Sequence, residues 1–496
     1  MPAAAPRQSA QVHKAQQMTS SIQITVFLLI TAAIGGLTYL HCRRAVTGQR
    51  STGRDYFLAN NNLSWYFIAG SITLTNLSTD QLVGMNGNQM LLLAWWELAA
   101  VAGLLILAFV FIPIYYRNQC TTTTELLQKK YGDKHIRALI SLLFLLGNLF
   151  IFLPAVLYSG ALFLSSMLNL SLSIVAIAAI LAFVGAAYAI LGGLRAVAVS
   201  DTYSGVLILT LALLVVYLAL QAIDFDFSGI PADRLTLIGD NESPIPWHTL
   251  LTGMLFIQVF YWSTNQTITQ RAMAAPSIRE AQKGVLSAAG IRLLIVPIIV
   301  TLPGIVAFKL YGDINDAAYG RIVGDLLPGW LSGAFAAAIV AAVLTTFNSI
   351  LNASAALYVC DIHEPYIGES NNIPQLSRVV SISMTLLAIA LVPVFATQES
   401  IINTVQQLYG LLSMPILSAF VVALLFRNVA AFAAIGGVIA GVALYAFLSF
   451  AWTPVHYIHA MFITLFFSIG TSLLLNKVIF ANPIQFAYNR EPSKAR

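Results

Sequence analysis

A polar run lies inside a segment, about 63–88, that otherwise has the composition of a membrane span: NLSTDQLVGM, Asn76 to Met85. An aspartate at the centre of a span costs about 2.5–3.5 kcal/mol on insertion scales. Polar groups persist at membrane depth only where they are buried in protein or line a water-filled cavity. We therefore expect an interrupted helix here, which is a usual sign of a solute and ion site in a secondary transporter.

The composition extends this argument to the whole chain. Of 496 residues, 58% are hydrophobic and only 9% are charged, whereas soluble domains carry about 25% charged residues. Apolar runs of span length recur from about Ile22 to Leu475, so we predict an all-α polytopic membrane protein with about 13 transmembrane helices. The predicted spans are 22–42, 63–88, 90–116, 137–167, 170–193, 195–222, 247–266, 281–310, 329–362, 375–397, 399–426, 427–452 and 455–476.

Two predicted spans are unusually polar, and each begins a block of five. The first is 63–88, and the second, 247–266, contains Gln258 and a polar run from Ser263 to Gln266. Two such blocks predict a five-plus-five inverted repeat with discontinuous helices, since an odd number of spans inverts the second block. The predicted organisation is a polar segment 1–21, an extra helix 22–42, repeats 63–222 and 247–426 around an external loop 223–246, two helices in 427–476, and a tail 477–496.

The basic residues are distributed asymmetrically between the predicted loops. With the N-terminus outside and the C-terminus in the cytoplasm, 19 of 25 Lys and Arg residues fall on the cytoplasmic side. This is the positive-inside bias of a multi-pass plasma (inner) membrane protein. The net charge of +5 therefore reports topology, and we expect no nucleic-acid partner.

Four ionisable residues fall within predicted spans: Asp80, Glu97, Asp201 and Arg292. Intramembrane charges are functional candidates by default. A charge pair that only holds helices together is the structural alternative, and Asp80 can serve merely to solvate the helix break.

Two further clusters have ligand chemistry. Thr345 and Thr346 in LTTFNSILNAS, together with carbonyl groups freed by a broken helix, can supply oxygens to a sodium ion. Trp96, Gln258 and Gln406 belong to groups of amide and aromatic side chains that suit a polyol or hexose. The alternatives are hydrogen bonds between membrane helices for the hydroxyls and an interfacial aromatic belt for the rings.

At these residues the chain resembles the sodium:solute symporter family, in its sodium/glucose and bacterial sodium/galactose branch. The ordered matches are NLSTDQLVGM, Trp96-Glu97, AILGGLRAVAVSD, YWSTNQTITQR, EAQKG and LNASAALYVCDI, over roughly 55–480. The resemblance implies the five-plus-five fold and sodium-coupled import of a hexose-like sugar by alternating access. Sodium would be the coupling ion, and one chain would suffice for transport, with the oligomeric state left open.

The resemblance also implies residue roles. The solute site would comprise Gln81, Glu97, Gln258, Arg292 and Gln406, with Asn76 and Ser78 bracing the broken helix. The gates would be Met85, Trp96, Tyr261 and Ile402. Sodium would bind Leu74, Leu77, Ala342, Thr345 and Thr346, with Asp201 near a possible second sodium ion.

Several residues depart from the galactose branch, which has Asn at Gln258, Lys at Arg292, Ser at Ala100 and Tyr at Trp96. These departures leave the particular sugar open, and sialic acid, a nucleoside or proline are alternative solutes. A proton-coupled carrier using Glu97 or Asp201 is the nearest mechanistic rival, and a channel or sensor is a more distant one. No nucleophile–base or metal set indicates an enzyme.

Overall fold

The computed structural model describes residues 5–43, 57–168, 170–369 and 372–487. Sixteen helices, several with internal π-helical turns, are labelled in chain order: α1 Ala5–Arg43, α2 Trp65–Asn76, α3 Thr79–Gly87, α4 Leu91–Arg117, α5 Glu125–Tyr131, α6 Lys134–Leu168, α7 Ile174–Ala222, α8 Gly253–Ser263, α9 Gln266–Met273, α10 Ile278–Tyr311, α11 Ala318–Leu326, α12 Gly329–Tyr366, α13 Ile373–Phe395, α14 Ile401–Leu425, α15 Ala431–Ala451 and α16 Tyr457–Val478. Strands β1 Phe426–Arg427 and β2 Gln485–Phe486 pair antiparallel.

The helical class is confirmed, but the number of 13 spans is not. Within the described ranges, ten helices are long and apolar enough to cross a membrane. Part of the difference arises because both polar spans are divided into short halves: α2 and α3, then α8 and α9. The second of these continues to Met273, beyond the predicted end at 266, because six of the eight residues of α9 are polar or small, although all eight are buried by neighbouring helices.

The rest of the difference lies in α7. The predicted spans 170–193 and 195–222 both fall within α7. Its part Val197–Ala222 is long and apolar enough to cross a membrane, whereas the apolar part Ile174–Ala186 is shorter than a span.

Helix α12 is the centre of the molecule. It packs against α1, α2, α7 and α13, and 89% of its most apolar 18-residue window is buried. Its small residues, such as the run Ala336 to Ala338, allow neighbouring backbones to approach closely. The hydroxyls of Thr345 and Thr346 are therefore held within the helical core.

The second half of the first broken helix is fixed to a kink in α10. Pro303 lacks an N–H group, which leaves the carbonyl of Ile299 without its partner in the helix. The Asn86 amide on α3 donates to that carbonyl at 3.2 Å, and its Oδ1 accepts the N–H of Gly304 at 2.7 Å. One side chain thus completes the backbone hydrogen bonds on both sides of the kink.

A buried carboxyl joins three elements at the far end of α3. Asp316, in the short 3-10 turn Asn315–Ala317, accepts the N–H of Ile401 at 2.8 Å at the start of α14. It also packs on Gly87. Burial raises the pKa of Asp316 to about 7, so this junction holds a carboxyl that resists ionisation.

We predict that Gly304→Ala destabilises the protein. An added Cβ would overlap the backbone carbonyl of Asn86, and forced overpacking costs about 1–3 kcal/mol. Gly290→Ala is the matched control, because it lies in the same helix with nothing within 4 Å of the new Cβ. Thermal unfolding in detergent should show a lower midpoint for Gly304→Ala only; equal midpoints would contradict the close contact between α3 and α10.

We further predict that Asp316 makes stability fall as pH rises. The folded chain keeps a proton up to about pH 7 that the unfolded carboxyl releases near 3.8. The stabilising contribution is therefore complete below about pH 3.8, declines across this window and is lost above about 7. Relative to wild type, Asp316→Asn should flatten the dependence of the unfolding midpoint on pH.

The control for this measurement is Asp313→Asn on the same loop. Asp313 is half exposed and pairs with Arg234 at 3.0 Å. The Asp316→Asn change should flatten the profile equally in the wild-type and the Asp313→Asn background. Parallel profiles for Asp316→Asn and wild type would show that the buried carboxyl does not control the junction.

Candidate functional site

The first helix break is a two-residue interruption in which only Ser78 is extended. Helix α2 ends at Asn76, Leu77 has ψ 64°, and Ser78 has ψ 177° before α3 begins. Ser78 donates its hydroxyl hydrogen to the carboxylate of Asp80. Asp80 lies in the first turn of α3, where the helix dipole favours a negative charge. Asp80 therefore has a local structural role at the break.

The second break has the same construction, between α8 and α9. Thr264 leaves helical geometry, and the Asn265 side chain caps α9 by accepting the N–H of Thr267 at 2.9 Å. Each break is also connected to a tyrosine by an asparagine amide. Asn76 donates to Tyr261 Oη at 2.9 Å, and Asn265 donates to Tyr409 Oη at 2.9 Å.

Two small adjoining cavities lie between the breaks, with volumes of about 50 and 30 Å³. Both cavities are lined by Asn76, Gln81, Tyr261, Gln406 and Tyr409. Asp80 lines the larger cavity and is the one charged residue in either lining.

Most of the residues predicted for the solute site meet at these cavities. Gln81 and Gln406 border both, Gln258 borders the smaller and Ser78 the larger. Among the described residues, the buried Oε1 of Gln81 and Nε1 of Trp96 have no hydrogen-bond partner. Such groups are costly unless a ligand or water satisfies them, so these two atoms are available to a solute.

Glu97 and Arg292 do not line either cavity. They form a fully buried ion pair with each other. The Arg292 guanidinium lies 4.5 Å from the centre of the Trp262 ring, and Trp262 donates to Gln258 Oε1 at 2.9 Å. Gln258 in turn donates to the Trp96 carbonyl at 3.1 Å. The ion pair thus supports the cavity wall from behind.

Three of the four predicted gate residues contribute to the linings. Trp96 borders the smaller cavity, Ile402 the larger and Tyr261 both. Met85 is fully buried outside these linings. Ile402 also contacts the first broken helix, since a Cβ at Gly84 would lie 3.0 Å from its side chain.

The predicted sodium ligands are buried where α12 meets the first break. Thr346 Oγ1 lies 3.5 Å from the Thr75 carbonyl, and Thr345 Oγ1 donates to the Ala342 carbonyl at 3.1 Å. Leu74 and Leu77, on either side of Thr75 in the sequence, are fully buried. Hydroxyl and carbonyl oxygens are the ligands that hard cations prefer. The donor types therefore fit sodium, while the full ligand set remains a prediction.

Arg271 is the main residue that sequence reasoning missed. The topology prediction counts Arg271 among the basic residues of the cytoplasmic side. The structure shows it fully buried in α9. Its Nη2 lies 3.7 Å from Asp201 Oδ2, and its Nε donates to Ser71 Oγ at 2.6 Å. The sequence from Gln266 to Arg271 contains one apolar residue, Ile268, so local composition does not distinguish a buried helix half from a loop.

Comparisons with known proteins agree with this architecture. The sequence model of the sodium:solute symporter family matches residues 56–441. An uncharacterized symporter, YidK of Escherichia coli (strain K12), is 34% identical over 84% of this chain and 76% of its own length. A sodium/glucose cotransporter of Vibrio parahaemolyticus is 29% identical over 90% of this chain and 89% of its own length.

A solved structure has the same fold. It is a Na+-coupled sialic acid symporter in a substrate-bound, outward-open state, with a TM-score of 0.80 and 18% identity, covering 94% of this chain and 99% of that one. The fold is thus that of a polytopic symporter with discontinuous helices. Since the family model covers most of its length, the chain belongs to the sodium:solute symporter family.

Proposed function

We propose that this protein is a sodium-coupled symporter that imports a neutral, hexose-like sugar by alternating access. The observation that carries the proposal is the cavity lining. Asn76, Gln81, Gln258 and Gln406 supply amide donors and acceptors, and Tyr261 and Tyr409 supply aromatic rings. Amides bind hydroxyl groups in both directions, because each has a donor and an acceptor.

Charge favours a neutral solute over an acidic one such as sialic acid. Recognition of a carboxylate is best served by a basic side chain, but the linings of the two cavities contain neither Lys nor Arg. The nearest candidate, Arg292, is paired with Glu97 and fully buried. The relative named as a sodium/glucose cotransporter also supports a sugar.

Sodium is proposed as the coupling ion because the hydroxyl of Thr346 lies 3.5 Å from the carbonyl of Thr75, in the last turn before the first break. A bound ion would hold α2 and α3 against α12 and so shape the adjoining solute cavity. A potential of 100 mV is worth about 2.3 kcal/mol per charge, and a tenfold gradient adds about 1.4 kcal/mol. Together these would support roughly 500-fold accumulation of solute per sodium ion.

The proposed orientation has the N-terminus outside and the C-terminus in the cytoplasm of a plasma membrane. In this arrangement the basic cluster around α5, including Lys129, Lys130 and Lys134, faces the cytoplasm, as the positive-inside bias requires. Sodium and solute would then enter the cell together.

The defining experiment is uptake by purified protein in proteoliposomes, with hexoses, sialic acid, proline and nucleosides offered in sodium or choline. We expect sodium-dependent uptake of a hexose or related polyol. Uptake that ignores sodium and collapses with a proton ionophore would instead favour a proton-coupled carrier using Glu97 or Asp201. Preference for sialic acid would overturn the argument from charge.

We predict that Thr346→Ala and Gln81→Ala separate the two ligands. Thr346→Ala removes a sodium oxygen, so the sodium concentration for half-maximal uptake should rise about tenfold, equivalent to about 1.4 kcal/mol. Gln81→Ala should instead weaken solute binding at saturating sodium. Thr210→Ala, at an exposed threonine bonded only within its own helix, is the control. Equal effects on both ligands would contradict separate sites.

We also predict that Glu97 and Arg292 behave as one unit. Glu97→Gln leaves a buried guanidinium without its counter-charge, which costs about 3–5 kcal/mol. The double variant Glu97→Gln/Arg292→Gln should recover most of the thermal stability but not the solute affinity, because Trp262 and Gln258 lose their support. Additive loss of stability in the double variant would show that the two residues do not pair.

A further inference from the structure

Two half-buried histidines meet beside the start of α8, and neither lines the cavities. His248 lies in the 3-10 turn Trp247–Leu251 that leads into α8, and His459 lies in the first turn of α16. His248 Nδ1 and His459 Nε2 are 2.6 Å apart, and the ring planes differ by only 11°. Because rings stacked face to face cannot bring two nitrogens this close, the imidazoles meet edge to edge through a hydrogen bond.

The pair joins two helices that also touch through their backbones. Gly253, the first residue of α8, packs so closely on the Ile458 carbonyl of α16 that an added Cβ would overlap it. Further along α8, Gln258 and Tyr261 line the cavities. A change at the histidine pair therefore acts on a helix that forms part of the cavity wall.

The outer nitrogen of each ring determines which nitrogens carry a hydrogen. His248 Nε2 lies 3.1 Å from Asn241 Oδ1, and an amide oxygen only accepts, so this nitrogen donates. A neutral imidazole has one N–H, so His248 Nδ1 must accept and His459 Nε2 must donate in the bond between the rings. His459 Nδ1 then accepts the hydroxyl hydrogen of Thr252 at 2.9 Å. Every ring nitrogen of the neutral pair is thus used once.

One additional proton fits without breaking these hydrogen bonds. It binds to His459 Nδ1, whose partner is a hydroxyl group and can reverse its role. The Thr252 hydroxyl then accepts from that N–H and turns its own hydrogen to the Thr249 carbonyl, 3.2 Å away. The bond from His459 to His248 becomes charge-assisted, and such bonds are about twice as strong as neutral ones.

A second additional proton has no such place. The remaining nitrogen is His248 Nδ1, which is the acceptor in the bond between the rings. Its protonation would direct one N–H at another and bring two positive charges into contact, which like-charge repulsion disfavours. The two rings therefore titrate as one unit, and its second step removes the bond that joins them.

A third histidine lies nearby but does not take part in this bond. His456 precedes α16, and its Nδ1 accepts the N–H of Ile458 at 3.3 Å. Burial, followed by the proximity of His459 and His248, lowers the pKa of His456 to about 4. It therefore remains neutral over most of the range in which an imidazole ordinarily titrates.

Few other charges surround the pair. The segments 239–263 and 449–463, which contain it, and helices α14 and α15, which pack on α16, have no Lys or Arg. Helix α4, which packs on α8, contributes Glu97, which is paired with Arg292. Besides the three histidines, the titratable side chains of these segments and of α14 and α15 are the exposed carboxylates of Asp240 and Glu242 and the phenols of Tyr261, Tyr409, Tyr445 and Tyr457.

We propose that His248 and His459 form a proton-binding latch, which holds the start of α8 to α16 with no or one added proton and releases it when two are bound. In the proposed orientation the latch faces the outside of the cell. External acid would then loosen the helix that carries Gln258 and Tyr261 and so weaken transport. This effect on transport rests on the proposed function, whereas the latch itself does not.

Hydrogen–deuterium exchange of peptides covering 245–254 tests the latch in the purified full-length protein, without solute or sodium. After correction for intrinsic rates, we expect protection at pH 6 to equal or exceed that at pH 8. At pH 4.5 exchange should be about tenfold faster, as loss of a hydrogen bond to a charged group predicts. His248→Gln and His459→Gln should each lack this acid step, because neither variant can bring two imidazolium groups together.

The control for exchange is His135→Gln. His135 on α6 also bonds to a side chain, with its Nδ1 2.6 Å from Tyr366 Oη, but it lies outside the latch. This variant should keep the acid step of wild type. An equal acid step in His459→Gln and His248→Gln, or none in wild type, would overturn the latch.

Uptake of the hexose identified in the transport assay tests the consequence. Lowering the external pH from 7.5 to 4.5 should slow sodium-driven uptake several-fold in wild type and His135→Gln, and much less in the two latch variants. An equal loss in all four proteins would overturn the effect of the latch on transport. Absence of sodium-dependent uptake at every pH would instead defeat the proposed function, while the exchange results would still decide whether the latch exists.

Discussion

The central constraint on this structure is that every backbone N–H and C=O group within a bilayer must find a partner in the protein. An uninterrupted helix meets this constraint by itself, but two helices here are broken. Leu77 and Ser78 leave helical geometry at the first break, and Thr264 and Asn265 do so at the second. Both breaks are tolerated because they are enclosed by helices. The most buried of these, α12, places its hydroxyls beside the first break, so the groups that need partners are also the groups that can hold an ion.

Electrostatic pairing follows from the same low-dielectric interior. Glu97 is neutralised by Arg292, Asp201 by Arg271, and Asp361 by Arg137 with Nη2 2.6 Å away. Each pair spans different helices, so its charges position helices without presenting a charge to the solute cavities. Apart from Asp80 in the larger lining, selectivity in these cavities is therefore left to neutral polar and aromatic groups. This division is compatible with the neutral ligand proposed above.

Much of this was predictable from sequence because the strongest signals are local. The run around Asp80 predicted the first break, and hydropathy located the apolar helices to within a few residues. The second break was located, but its end was placed at 266 rather than Met273, since polar residues buried by other helices resemble a loop in sequence.

The failures concern contacts between distant segments. The partners of Arg292 and Arg271 lie 195 and about 70 residues away in sequence, and nothing in local composition identifies them. Glu97 and Arg292 were therefore expected at the solute, whereas they pair behind Trp262.

The contact between Asn86 and the kink at Pro303 has a mechanical consequence. If α3 were to swing away from α10 during a transport cycle, the Ile299 carbonyl and the Gly304 N–H would both lose their partner in a region without water. The motion that costs least free energy keeps these hydrogen bonds, so α3 and this half of α10 should move together as one rigid body. Relative motion should then concentrate at Leu77 and Ser78, where no side-chain amide replaces the missing helical hydrogen bonds.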